Sequence, residues 1–218
     1  MKVLDVPQSG SLQSLTHSRN RFGQYVRSRA TPVNPNSVPQ SLVRARLSGN
    51  ASAWRAITDA QRVGWESLGS LISRTDSLGQ TYNLNGFGAY VLVNNNLMAA
   101  GDATVSDAPT FAVPDALVVG AVTASVSALT VAFTPTPLAT GRKVFVYASP
   151  QRSAGRTFEA DLRLVFVGAA ASVSPANIFA AYSARFGVPV VGNRIFLAVS
   201  QYAAGFVSLP ALTSKVVA

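Results

Sequence analysis

Eight arginines, Arg19, Arg21, Arg27, Arg29, Arg44, Arg46, Arg55 and Arg62, fall between positions 19 and 62 against one acid, Asp59, and without a single lysine. A guanidinium keeps its charge at any working pH, and its planar fork makes paired hydrogen bonds to carboxylates, phosphates and carbonyls. A lysine-free run of this kind points to fixed contacts with a partner, protein or nucleic acid, rather than to diffuse attraction. Read as one extended strand, the segment places Arg19, Arg21, Tyr25, Arg27 and Arg29 on one face and Phe22, Gln24, Val26 and Ser28 on the other. The candidate partner-binding residues are therefore Arg19, Arg21, Phe22, Tyr25, Arg27, Arg29, Arg44 and Arg46. A plainer reading of the same residues is a solvated edge strand whose arginines deter aggregation.

Other chemistry is thinly supplied. The single histidine, His17, has no cysteine anywhere in the chain and no acid nearer than Asp5, which leaves a catalytic triad or a metal cluster short of parts. Glu159 and Asp161 share one face of a strand start, but Arg156 and Arg163 flank them, and ordinary surface pairing outweighs general acid–base work. Asn85-Gly86-Phe87-Gly88 holds two glycines without the lysine of a phosphate loop, as in a turn that opens a helix. The expectation is a protein that is not an enzyme and takes no cofactor and no metal.

The elements that must position the arginines follow from composition and periodicity. The chain has 218 residues, 48% of them hydrophobic and only 12% charged, with a formal net charge of +9. A buried core is affordable in apolar residues, no disulfide is available, and no run reaches the roughly 18 apolar residues of a membrane span. Residues 1–15 lack the apolar stretch of a signal peptide, so a soluble protein made in a cytosol is expected.

Residues 1–38, rich in Ser, Gln and Asn with Pro32 and Pro35, lack a helical stripe and read as an extended basic arm. Residues 39–101 read as helices. Pro39 suits a first helical turn, and Thr58-Asp59-Ala60-Gln61 is a capping-box pattern opening a second helix with Val63, Trp65, Leu68, Leu71 and Ile72 facing Trp54 and Ile57. A third helix follows Asn85, turns Phe87, Tyr90, Val91, Leu97 and Met98 inward, and ends near Gly101. Both tryptophans read as core.

Residues 102–115, with Pro109 and Pro114, read as a linker. Beyond it lie short runs rich in Val, Phe and Leu: 117–123, 129–133, 143–148, 162–167, 194–200 and 206–209. With Ser174-Pro175 leading Ile178, Phe179, Tyr182 and Phe186 to Gly187, they predict a β-sandwich over 116–218 carrying one inserted helix. The expected fold class is α+β, with the strand-rich residues closing a core of their own.

Two resemblances follow. Arg19-Asn20-Arg21-Phe22-Gly23-Gln24-Tyr25-Val26-Arg27, Pro32-Val33-Asn34-Pro35-Asn36, Val43-Arg44-Ala45-Arg46 and Ala53-Trp54-Arg55, followed by Gln61-Arg62 and Trp65, resemble the N-terminal region of small proteins encoded by tailed bacteriophages and prophages. From Pro109 onward, Leu129-Thr130-Val131-Ala132-Phe133 and Ile195-Phe196-Leu197-Ala198-Val199-Ser200, with Gly205 and Ser208-Leu209-Pro210, resemble a fibronectin type III or immunoglobulin-like module, though without its early core tryptophan. The first resemblance implies a virion structural component. The function expected is a capsid decoration or cement protein that binds a major capsid protein or other virion proteins, oligomeric in the particle, with no membrane contact. Placement in the neck or tail is one alternative, and nucleic-acid binding through the arm is another.

Overall fold

The computed structural model describes residues 8–20, 23–76 and 79–218 and has a mixed α+β fold. The chain divides into two compact units, residues 1–44 and 45–218.

The first unit is a three-stranded antiparallel sheet of β1 (Gly10–Leu12), β2 (Leu15–Asn20) and β3 (Gly23–Ser28), followed by the start of helix α1 (Val38–Ala56). It is not the extended arm read from the sequence. The chain reverses between Asn20 and Gly23, and antiparallel partners share a face, so the reversal resets the alternation of side chains. Arg19 pairs with Gln24 and His17 with Val26 on one face, while Tyr25 and Arg27 lie on the other, opposite Ser18 and Thr16. The single arginine face is thus corrected to two; Arg21 and Phe22 lie outside the described residues. Among the described residues of this unit, none belongs to a hydrophobic core cluster.

Helix α1 starts where Ser37 and Pro39 favour it: the Gln40 side chain accepts from the Ser37 amide at 3.3 Å, and Ser41 N donates to Ser37 O at 2.9 Å. Of its nineteen residues only Asn50 is buried.

In the second unit, α2 (Asp59–Leu71) opens on the predicted capping box, with Gln61 N donating to Thr58 Oγ1 and Thr58 N donating to the Gln61 side chain. A small hairpin, β4 (Ser73–Thr75) with β5 (Thr81–Asn83), leads to α3 (Gly86–Ala100), capped by Asn85 and ended by Gly101 in the left-handed conformation. Helices α2 and α3 pack closely because glycines stand at the contact. A Cβ on Gly86 would come within 2.8 Å of Glu66 Cγ, and one on Gly69 within 2.6 Å of Leu84 O. Trp65, Leu68, Ile72, Tyr90 and Leu97 are buried as expected, but Val63 and Leu71 face solvent.

The strands are β6 (Val118–Ala124), β7 (Leu129–Thr134), β8 (Lys143–Ala148), β9 (Arg152–Ser153), β10 (Arg163–Val167) and β11 (Ala176–Asn177). Helix α4 (Phe179–Phe186) follows, then β12 (Asn193–Ala203), β13 (Phe206–Val207) and β14 (Ala211–Val216). They form two antiparallel sheets, β11-β7-β6 and a larger one in which β8 lies between β10 and β12, while β12 also pairs β14, β13 and β9. One core lies between the sheets, built on Leu129, Val131 and Phe133 of β7, Val144 and Val146 of β8, and Ile195, Leu197 and Val199 of β12.

The opposite face of β8 and β12 is covered too. Phe145 and Tyr202 stack at 5.0 Å and, with Phe206, join Trp65, Tyr90, Val93 and Leu97 in a second core. Strands and helices therefore form one compact unit, rather than the two modules joined by a linker that the sequence suggested. Residues 102–115 are the seam. Asp102 accepts from Lys143 Nζ at 2.6 Å and from the Tyr202 hydroxyl at 2.7 Å, Ser106 O accepts from Trp65 Nε1 at 2.7 Å, and Phe111 meets Phe206 edge-on. Asn94, fully buried on α3, completes the seam by exchanging hydrogen bonds with the backbone of Val105. Strand β8, Lys-Val-Phe-Val-Tyr-Ala, is apolar at nearly every position because both of its faces are buried.

Candidate partner-binding surface

Residues 1–58 hold eight Lys and Arg against one acid, a net charge of +7, which leaves +2 of the chain's +9 to all the remaining residues. The excess cannot be neutralised locally, because the acids it would need are absent from that stretch. Arg19 and Arg27 project from opposite faces of the three-stranded sheet, and Arg29 follows β3 directly, its amide donating to Ser14 O at 2.6 Å. All three are exposed and none reaches a carboxylate among the described residues. Tyr25 is half-buried beside Arg27's face, as a ring able to cover a partner's apolar surface or stack on a base.

The same sheet carries further unspent polarity. His17 Nδ1 and Gln24 Nε2, on the face of Arg19, are shielded from solvent without a partner among the described residues. That face also bears Leu12, Leu15 and Val26, of which Leu12 and Leu15 are exposed. Three strands without a core on either face are marginal alone.

Arg44 differs from its neighbours. Its guanidinium donates to Asn34 Oδ1 at 3.1 Å and Asn36 Oδ1 at 3.5 Å, and Ser41 Oγ donates to Asn36 Oδ1 at 3.2 Å. These bonds fold the segment before α1 back on its second turn, with Asn36 at a positive φ that asparagine tolerates. Arg44 is thus partly committed to holding its own chain. Arg46, in the second unit, is half-buried on α1 and has no carboxylate partner among the described residues.

The first half of α1 is also uncovered on its apolar side. Val43, Leu47, Asn50, Trp54 and Ile57 follow one another at alternating four- and three-residue steps, a continuous seam. Asn50 and Ile57 are buried, whereas Val43 is 64% exposed and Leu47 51%. Sequence reasoning did not single out Val43 and Leu47 as an exposed surface; the apolar spacing along the helix was the available signal.

The remaining candidates resolve simply. Glu159 is 7% exposed rather than on the surface, and is held by Arg152 and Arg156. The Asp161 amide, donating to Glu159, and then the Arg152 guanidinium keep its carboxyl below the usual range. Asp161 pairs with Arg163 at 2.9 Å. Asn85-Gly86-Phe87-Gly88 opens α3, Gly88 N donating to Asn85 Oδ1 at 2.7 Å. Among the described residues no group of His, Asp or Glu is placed to hold a metal ion, and no helix is long and apolar enough to cross a membrane. No protein-family model, curated protein or solved structure matches this chain.

Proposed function

We propose that this chain is a non-enzymatic structural protein of a tailed-bacteriophage virion, a capsid decoration or cement protein that docks on an acidic protein surface through its N-terminal region. The observation that carries the reading is the set of exposed arginines Arg19, Arg27 and Arg29, without carboxylate partners among the described residues, on a sheet that has no core of its own. Such a sheet gains stability by contact with something else, and its guanidinium forks select carboxylates and carbonyls as the contact. Repetition over many copies turns modest single contacts into firm attachment.

The strand-rich residues support the decoration reading through their order. With β6, β7 and β11 taken as strands A, B and E, and β10, β8, β12 and β14 as C′, C, F and G, the two sheets would run E-B-A and C′-C-F-G, an order that supports a fibronectin type III-like reading. Two departures are the two-residue β11 and the insertion of α4 before β12. The Tyr182 hydroxyl, on α4, donates to Ser149 O at 3.1 Å and pins that insertion to the sandwich.

A nucleic-acid reading uses the same arginines with Tyr25 as a stacking ring, and one experiment separates the two. Replacing Arg19, Arg21, Arg27 and Arg29 with lysine keeps the charge but removes the fork. Copy number per particle should fall sharply if the contacts are bidentate contacts to protein. Normal incorporation of the four-lysine variant, together with tight and steeply salt-dependent DNA binding by the wild type, would replace the decoration reading with the nucleic-acid one.

A further inference from the structure

Within residues 45–218, an open groove of about 350 Å³ runs between α1 and α3. Its α1 wall carries Ala45, Gly49 and Ala53 at four-residue spacing, a stripe of small side chains that lets another group approach the helix closely. Met98 adds an adaptable apolar wall.

Polar groups converge on the same space. Arg46 lines it with no carboxylate partner among the described residues. Tyr90 lines it too, only 2% exposed, its ring held by Trp54 at 5.4 Å and Trp65 at 5.1 Å. Hydrogen bonds fix Asn50 beside it, its amide donating to Asn95 Oδ1 at 3.1 Å. The Tyr90 hydroxyl, by contrast, has no hydrogen-bond partner among the described residues and is open to a group that enters the groove. Burial raises the Tyr90 phenol above its ordinary range, so at neutral pH it is a proton donor.

We propose that this groove receives a carboxylate-bearing side chain of a partner polypeptide, with the Arg46 guanidinium as its charge partner and the Tyr90 hydroxyl as a second donor. A guanidinium and a phenol both donate, so an anion satisfies the two together. The surroundings decide which anion. A single cation above an apolar floor suits an acidic side chain with an aliphatic stem, whereas a nucleic-acid track needs a run of cations and a stacking face. The proposal rests on the reading of the partner as an acidic protein only for the class of occupant.

The test titrates hexaglutamate into the full-length protein and follows tryptophan fluorescence, since Trp54 and Trp65 both touch Tyr90. A saturable change is expected with hexaglutamate and none with hexaglutamine or inorganic phosphate at matched ionic strength. Arg46→Gln should weaken binding about tenfold, the scale of one lost charge-assisted hydrogen bond. Tyr90→Phe keeps the packed ring and should weaken it about threefold, with an unchanged circular dichroism spectrum. A variant with Arg19, Arg27 and Arg29 changed to glutamine should retain the fluorescence response. Binding as tight in Arg46→Gln as in the wild type, an equal response to phosphate, or loss of the response in the triple variant would each overturn the groove. Those results leave the N-terminal contacts to be judged by particle incorporation, so the two readings fail separately.

Discussion

Lys143, Arg152, Arg156 and Arg163 each reach a carboxylate, and Arg185 and Arg194 end on the carbonyls of Leu164 and Ala154. Among the described residues, the side chains of Arg19, Arg27 and Arg29, in the N-terminal unit, reach neither a carboxylate nor a carbonyl. The residue type is the same and the supply of acids is not. In the strand-rich residues arginine serves as an internal tie; Arg185, for instance, occupies a carbonyl of β10. At Arg19, Arg27 and Arg29 the same side chain makes no hydrogen bond among the described residues and keeps its capacity for another molecule, whereas Arg44 is partly committed to Asn34 and Asn36. Core placement follows the same division, because among the described residues the large buried side chains all lie in residues 45–218.

The most severe way to break that contrast is to cut each unit away. Isolated residues 107–218 lose the helical layer and expose Phe145, Tyr202 and Phe206, at about 1.5–3 kcal/mol each. The sum rivals the whole stability of an ordinary domain, about 5–15 kcal/mol. This fragment should show no cooperative thermal transition by circular dichroism. Residues 45–218 should melt close to the full chain, since none of the described residues removed belongs to either core. A cooperative transition for 107–218 would mean that the second core is dispensable.

That expectation reverses the one the sequence invites, and the reason is specific. The strands themselves were legible: the runs at 129–133, 143–148 and 194–200 coincide with β7, β8 and β12 to within a few residues, because each is bounded by turn residues. So were the caps, since Thr58, Asn85 and Gly101 act through local chemistry. What was misread is which faces are covered. Val-Phe-Val-Tyr in β8 is apolar at both parities, the mark of a strand buried on two sides, and Pro109 and Pro114 drew attention to a linker instead. The arginine surface was legible as composition but not as geometry. One reversal between Asn20 and Gly23 changes which residues share a face, and Asn-Arg-Phe-Gly is a weak turn signal.

A smaller break is available at the seam. Asp102 joins the end of α3 to β8 and β12 through Lys143 and Tyr202. The hydrogen bond from Lys143 above all, and then that from Tyr202, holds its carboxyl below the usual aspartate range, against the opposing effect of burial. Because the folded value is depressed, the stabilisation is present above the unfolded pKa and is lost as pH falls through the folded one. Asp102→Asn should cost about 1–2 kcal/mol at neutral pH, discounted for partial exposure, or roughly 3–6 °C in melting temperature. The gap between variant and wild type should close as pH drops below about 4. A gap that stays constant from pH 7 to pH 3 would show that charge plays no part in the seam. Thr58→Ala, which removes one cap bond to the Gln61 amide, should cost about 1 kcal/mol at either pH.

The smallest expected effect on stability is the most discriminating one. Arg27 and Arg29 are exposed and without carboxylate partners among the described residues, so Arg27→Gln with Arg29→Gln should shift stability by no more than about 0.5 kcal/mol, the usual range for surface substitutions. Arg152→Gln is the matched comparison: it leaves Glu159, 7% exposed, with the Asp161 amide and, as its remaining cation, Arg156 at 3.4 Å, and it should lower the melting temperature measurably. Particle incorporation should show the opposite ranking, falling for the Arg27 and Arg29 variant and holding for Arg152→Gln. Equal destabilisation by both variants would mean that the N-terminal arginines brace their own chain, and the division between internal ties and outward contacts would fail at its simplest point.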